Sequence, residues 1–396
     1  MGNCYKSNSN YSLPYYPDSV TINQKHHKTG QKVNLTLLPP HKQFKSKTQI
    51  GDLGVKISSC IFPSQDLQAS NPKQCQDNSF TIINSDFIFA ALFDGHGPAG
   101  QEVVQHCESL VSTYLESEPF NESAGSEYLE DLLMYCDDEL MSETKTTDVK
   151  NSGTTAVSII ISPRYLYVAS VGDSKAVLGT LSGSSVVSNK SSKNGLRVLE
   201  ALQLTVDQKP NLEEEMSRIV KCGGIVSRAL DEGGNPHGPY RVFCKESKLG
   251  LAMSRSLGDM ACKKVGVISQ PIHDVYPIYT LRDQFIIIAS DGLWDVFTND
   301  EAVQFVETFR YKCLGTVADL LSEEARFRWV GLLSKGESQI DDIAVMVIEF
   351  HYFGDPGTEE TYAATRSSSK NLGSVIEIQS DTLKVSTNNI RSTMIL

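Results

Sequence analysis

The chain has 396 residues, 40% hydrophobic and 21% charged, the composition of a soluble globular protein with room for one large domain or two ordinary ones. Its net charge of −12 speaks against a nucleic-acid binder, which needs a basic face. Nine cysteines without a CxxC pair argue against a disulfide framework or a structural zinc site and point to a reducing, cytosol-facing compartment.

Met1-Gly2-Asn3-Cys4 opens the chain. Loss of Met1 exposes Gly2 for N-myristoylation, and Cys4 is placed for palmitate, although position 6 is Lys6 where the pattern takes Ser or Thr. Seven lysines against Asp18 give residues 1–47 a charge of +6 and leave the remainder at −18. One acyl chain binds membranes only marginally, so palmitate or this basic arm is the second signal. The expectation is a lipid-anchored monomer on the cytoplasmic face of a membrane, with a cytosolic pool. No secretory signal fits the N-terminus, and no stretch reaches the ~20 apolar residues that span a bilayer. Residues 1–49 show no sustained period and read as a disordered arm.

Strand-like apolar runs follow at 79–84, 87–93, 154–162, 165–171, 175–180, 285–289 and 343–350. Helical spacing links Val103, Val104, Cys107, Leu110 and Val111, and again Leu129, Leu132, Leu133, Cys136 and Leu140. A third helix is predicted from Asn211, with Glu214 completing a capping box and Gly223-Gly224 as its stop. Residues 181–195 read as a flexible loop, and 353–396 as a disordered Ser/Thr-rich tail. Short turns between 154 and 180 favour antiparallel pairing, so the fold class is α+β, with antiparallel sheets and helices outside. Two sheets packed face to face would gather strand-end loops at one rim.

Acids mark those strand ends. Asp94-Gly95, Asp173-Ser174 and Asp291-Gly292 close apolar runs, and Asp341-Asp342 precedes another. A carboxylate at a buried strand edge is costly unless something positive meets it. Oxygen-only ligands suit Mg2+ or Mn2+, where thiolates or histidines would suit zinc. Two such ions could activate water and clamp an in-line displacement at phosphorus, with Asp94 bridging them and His96 as the acid for the leaving group. A lone Asp-Gly is usually a turn, so each motif alone is weak evidence.

Taken in order, nine segments resemble the metal-dependent serine/threonine protein phosphatases of type 2C, across about residues 50–352. They are Lys73-Gln74-Cys75-Gln76-Asp77-Asn78-Ser79-Phe80, Phe93-Asp94-Gly95-His96-Gly97, Ser152-Gly153-Thr154-Thr155-Ala156 and Val171-Gly172-Asp173-Ser174-Lys175-Ala176. Next come Leu204-Thr205-Val206-Asp207-Gln208-Lys209-Pro210, Gly223-Gly224 and Leu251-Ala252-Met253-Ser254-Arg255-Ser256-Leu257-Gly258-Asp259. Ser290-Asp291-Gly292-Leu293-Trp294-Asp295-Val296 and Asp341-Asp342-Ile343 complete the set.

The resemblance implies a β-sandwich of two antiparallel sheets flanked by helices, and a catalytic domain over 50–352 with a flap at about 222–249. It further implies two Mg2+ or Mn2+ ions per subunit and a weaker third. Asp94 matches the bridging ligand, Gly95 a backbone-carbonyl ligand, Asp291 and Asp341 the remaining carboxylates of the first metal, and Asp77 the acid beside the second. Asp173 and Asp295 match ligands of the third metal, and His96 the acid that protonates the leaving alkoxide. A metal-bound hydroxide would then hydrolyse phosphoserine and phosphothreonine in phosphoprotein substrates.

Four positions depart from the family's pattern. Gln76 stands where many animal members have Glu, and Pro72 where they have a phosphate-binding arginine, for which Lys73 is the substitute. Gln208 replaces a histidine, and Asp342 an asparagine. Gln76 and the missing arginine support one alternative, a catalytically weak, membrane-anchored phosphoprotein-binding module; the retained acids oppose it.

Overall fold

Strict alternation explains the strands at the centre of the molecule. In the Ile88–His96 strand, Ile88, Ala90 and Leu92 point into one apolar core, while Phe89, Ala91 and Phe93 point into another. The Asp283–Ala289 strand does the same, with Ile286 and Ile288 on one side and Phe285, Ile287 and Ala289 on the other. Strands buried on both faces read as continuous apolar runs. These are the runs visible in the sequence.

The protein is described by a computed structural model at residues 14, 16–23, 32–66, 74–142, 148–181, 199–231, 233–244, 250–313, 315–333 and 339–352. Two antiparallel sheets pack face to face. The first runs in the order Leu257–Gly258, Gly153–Thr154, Ile88–His96, Ala156–Ile161, Tyr165–Val171, Ile272–Pro277, and Asp77–Ile83 also pairs with Ile88–His96. The second runs Leu199–Gln203, Lys175–Leu181, Asp283–Ala289, Ile343–Tyr352, Leu53–Phe62, Lys42–Ile50. Between them lies a core of side chains from both sheets, including Ile57, Leu92, Val157, Val168, Ile288 and Met346.

Helices cover the outer faces. Gly100–Ser117 and Glu127–Ser142 pack on the first sheet through Val103, Cys107, Leu129 and Leu133. Asn299–Phe309 and Val317–Leu333 pack on the second through Val303, Val306, Leu321 and Trp329. Thr298 and Glu301 form a reciprocal capping box at the start of the Asn299–Phe309 helix. The α+β class and the antiparallel sandwich expected from the sequence are therefore those of the structure.

Three expectations need correction. The arm expected to be disordered over 1–49 carries the paired strands Ser19–Asn23 and Lys32–Thr36, and Lys42–Ile50 is an edge strand of the second sheet. Tertiary bonds hold this region: Tyr16 Oη donates to Glu324 at 2.7 Å, and Arg326 donates to the Leu38 carbonyl at 2.5 Å. Lys45 and Lys47 face solvent on the edge strand, where charge discourages pairing with other chains. Second, no capping box forms at Asn211. The helix is Glu213–Lys221, its N-cap is Leu212, and no side chain caps it. Its predicted stop holds, because Gly223 takes φ 84°, a left-handed conformation that costs glycine little. Third, the 154–162 run is split between Gly153–Thr154 and Ala156–Ile161. The expected tail from 353 lies outside the described residues, as does most of the 181–195 loop.

Candidate active site

The acids singled out in the sequence converge at one rim of the sandwich, supplied by both sheets. Asp77 opens the Asp77–Ile83 strand and faces Asp94 directly in register on the neighbouring strand. From the second sheet, Asp291 begins the short Asp291–Trp294 helix that follows the Asp283–Ala289 strand, and Asp341 sits between Gln339–Ile340 and Ile343–Tyr352. Asp173 lies in the turn that leads from the Tyr165–Val171 strand of the first sheet to the Lys175–Leu181 strand of the second. Gly95 pairs with Thr154, and its N–H donates to the Gln76 carbonyl.

Like charges directly opposite across a strand pair are destabilising, and these carboxylates show it. Burial holds Asp94 well above the ordinary carboxylate range, and Asp77, Asp291, Asp341 and Asp173 push it further. Asp77 is raised by burial and then by Asp342 and Asp341; Asp291 by burial and then by Asp341, Asp173 and Asp295. Neither oxygen of the buried Asp77 carboxylate has a hydrogen-bond partner, and one oxygen of Asp173 has none. Buried polar atoms are rarely left in that state.

One cation already sits in the cluster. Lys209 donates to Asp173, and its charge is felt by Asp291 and Asp295. Burial pulls the ammonium down, but Asp173 outweighs it and keeps Lys209 charged. Lys175, paired with Asp207, also acts on Asp295, and two lysines among this many acids do not balance them. Asp295, matched in sequence to the same group, is exposed. Among the described residues no group of three or more His, Cys, Asp or Glu side chains is set to hold a metal ion as it stands. The acids thus meet through their charges without closed ligand geometry. Their chemistry still fits a hard cation: oxygen donors only, mutually repelling, with no close hydrogen bond on either Asp77 oxygen and only partial relief from Ser290 and Asp94 nearby.

His96 stands at the end of the Asp94 strand. Its Nε2 lies 2.6 Å from Asp259 Oδ2, and the Ser256 hydroxyl donates to the same oxygen at 2.6 Å. Asp259 is held in the left-handed region, φ 52°, by its own N–H, which donates to the Ser152 carbonyl. The contact requires glycine at position 153, since a Cβ there would lie 2.3 Å from Asp259 Oδ2. Burial alone would lower the His96 pKa; the Asp259 carboxylate and its hydrogen bond more than offset this, and the imidazole ends above its ordinary value. His96 Nδ1 is buried without a partner.

Residues that sequence reasoning treated as departures hold this site together. Gln208 Oε1 accepts from the Gly172 N–H, its Nε2 donates to the Ser170 carbonyl, and its own N–H donates to the Gly172 carbonyl. It clamps the turn that carries Asp173. Gln76 Nε2 donates to the Gly97 carbonyl at 2.9 Å and so braces the loop just beyond His96. Asp342 accepts from the backbone N–H groups of Ser64 and Gln76, tying two strand ends together. Sequence reasoning also passed over Glu215, which is buried and bound by Arg218, Arg255 and Ser254. The sequence signals for it were Arg218, three residues on in the same helix, and an arginine inside the Met253-Ser254-Arg255 motif.

Lys73 lies outside the described residues, as do Gly2 and Cys4. The region matched to the flap contains an antiparallel hairpin, Ile225–Leu230 with Pro236–Phe243, largely exposed.

An acid-rimmed, helix-covered double sheet of this kind is the architecture of the type 2C phosphatases. A serine-threonine phosphatase 2C from Toxoplasma gondii shares the fold at a TM-score of 0.60 and 20% identity, covering 78% of this chain and 99% of its own. The family model for protein phosphatase 2C matches residues 62–328. Probable protein phosphatase 2C 34 of Arabidopsis thaliana is 36% identical over 282 residues, 67% of this chain and 73% of that protein. Probable protein phosphatase 2C 65 of the same plant is 34% identical over 288 residues, 67% and 69% of the two chains. The chain belongs to the protein phosphatase 2C family. It is a serine/threonine protein phosphatase, of a family that depends on metal.

Proposed function

We propose that Asp94, Asp291, Asp341 and Asp77, with the Gly95 carbonyl, hold two Mg2+ or Mn2+ ions, and that Asp173 with the exposed Asp295 offers a weaker third position. The observation that carries this reading is the Asp77 carboxylate, buried opposite Asp94 with both oxygens unpartnered. Bound there, the ions would supply activated water and neutralise charge on the phosphoryl oxygens.

The chain's own side chains do the rest. Asp259 orients the His96 ring through Nε2 and favours its protonated form, the form that can give a proton to the departing serine or threonine oxygen. Gln208 and Gln76 set the two loops that carry Asp173 and His96. Lys73 remains the candidate cation for the phosphate. Release of phosphate from a phosphothreonine peptide, measured with EDTA, Mg2+ or Mn2+, tests the centre. Activity that survives EDTA, or survives in Asp94→Asn, overturns it.

Membrane tethering belongs to the same proposal and rests on Gly2, Cys4 and the +6 arm. Among the described residues no helix is long and apolar enough to cross a membrane. Acylation would therefore place the enzyme at the cytoplasmic face, with a cytosolic pool when the second signal is absent. Gly2→Ala should release the protein from the membrane fraction; unchanged partitioning rejects the anchor.

A further inference from the structure

A cavity of about 200 Å3 opens beside His96, lined among others by Gly97, Lys150, Arg241, Met253 and Asp259. Its two cations come from distant parts of the chain. Lys150 precedes the Gly153–Thr154 strand, and Arg241 lies on the Pro236–Phe243 strand of the exposed hairpin. Arg241 is steadied by donating to the Gly250 carbonyl at 2.8 Å. Among the described residues the exposed Lys150 ammonium makes no hydrogen bond or ion pair. The carboxylate in the wall, Asp259, is already occupied by His96 and Ser256. Lys150 and Arg241 thus set two positive charges in a largely apolar wall against the one carboxylate.

We propose that the cavity is a specificity subsite for an anionic side chain flanking the phosphothreonine or phosphoserine to be hydrolysed, with Lys150 as the residue that determines the preference. The inference rests on the phosphatase reading above and adds the substrate class. The geometry sets the reach: the cavity shares its wall with His96, and a space of this volume is roughly two extended residues across, at ~3.3 Å per residue. A glutamate, an aspartate or a second phosphorylated residue within two positions of the scissile phosphate therefore reaches it. A lysine there meets like charge.

The test compares phosphothreonine peptides that differ only in a neighbouring Glu, phosphoserine, Ala or Lys. The wild-type protein should favour Glu over Lys by about tenfold in kcat/KM, carried by KM, as expected for a charge that steers binding. Raising salt should shrink the ratio, since the Debye length falls from ~8 Å to ~3 Å between physiological and molar ionic strength. Lys150→Ala should reduce the preference and Lys150→Glu reverse it. A larger gain with phosphoserine than with Glu would identify doubly phosphorylated sites as the substrates; equal gains would identify acidic sites generally. The same ratio in wild type and Lys150→Glu, or no preference in wild type, overturns the inference alone. No hydrolysis of any peptide with either metal overturns the phosphatase reading and this inference with it.

Discussion

Asp77 and Asp94 face one another across adjacent antiparallel strands, both buried enough to lift their pKa values. Without a cation the pair must hold either a charge without partners or a proton that an exposed carboxylate would lose in neutral solution. Asp77→Asn should therefore raise the metal-free melting temperature, on the order of 1 kcal/mol or ~2–4 °C. It should also abolish most of the stabilisation gained on adding Mn2+. Calorimetry with EDTA and then with Mn2+ separates the two effects; a lower metal-free melting temperature would contradict the repulsion argument.

Asp259 acts on the reaction through His96. Asp259→Asn removes the charge that lifts the imidazole, so His96 keeps its proton only to a lower pH. The alkaline limb of kcat should move to lower pH, and kcat should fall by about 10- to 100-fold with KM little changed. An unmoved limb in a pH–rate profile would mean that His96 is not the proton donor.

Gln208 predicts a different signature. Gln208→Leu leaves the Gly172 N–H and Ser170 carbonyl without their side-chain partners in a buried turn. The loss should be about 1–3 kcal/mol in urea unfolding. Metal affinity should fall with it, because the turn carries Asp173. Wild-type stability would assign the clamp no weight.

Glu215 should dominate acid sensitivity on the flap side. Burial would raise its pKa, but hydrogen bonds from Arg218, Arg255 and Ser254 bring it from 4.5 down to about 2. A depressed carboxylate contributes stability that is present above its unfolded value and lost as pH falls through the folded one. The window is thus about pH 4.5 to 2, with on the order of 3 kcal/mol at stake. Glu215→Gln should cost about 3 kcal/mol at neutral pH, since it leaves two arginines poorly paired. It should also flatten the pH dependence in that window; equal acid titrations of the two proteins would exclude the assignment.

What the sequence made legible follows from period and burial. Strands buried on both faces, such as Asp283–Ala289, show as apolar runs, and the acids at their ends show because a charge interrupts the run. Edge strands do not show. Lys42–Ile50 places lysines on its open side and reads as a polar arm, although pairing with Leu53–Phe62 orders it along its whole length. The Glu213–Lys221 helix has strong local end signals, yet of the partners that hold its buried Glu215 only Arg218 is local, while Ser254 and Arg255 lie about forty positions away. Gln76, Gln208 and Asp342 bond to backbone groups far off in sequence, which no local pattern can announce.

The rim draws its acids from both sheets: Asp77 and Asp94 from the first, Asp291 and Asp341 from the second. One short covalent link joins the two halves at this rim, the turn at 172–174 that carries Asp173, and it does not set the spacing of the other four acids. That spacing is fixed by the thickness of the apolar layer where Leu92, Val157, Ile288 and Met346 interleave. That layer is therefore a spacer for the catalytic centre as well as a source of stability. A cavity there, as in Met346→Ala, should be read first as weakened metal binding in a protein still folded, long before it is read as unfolding.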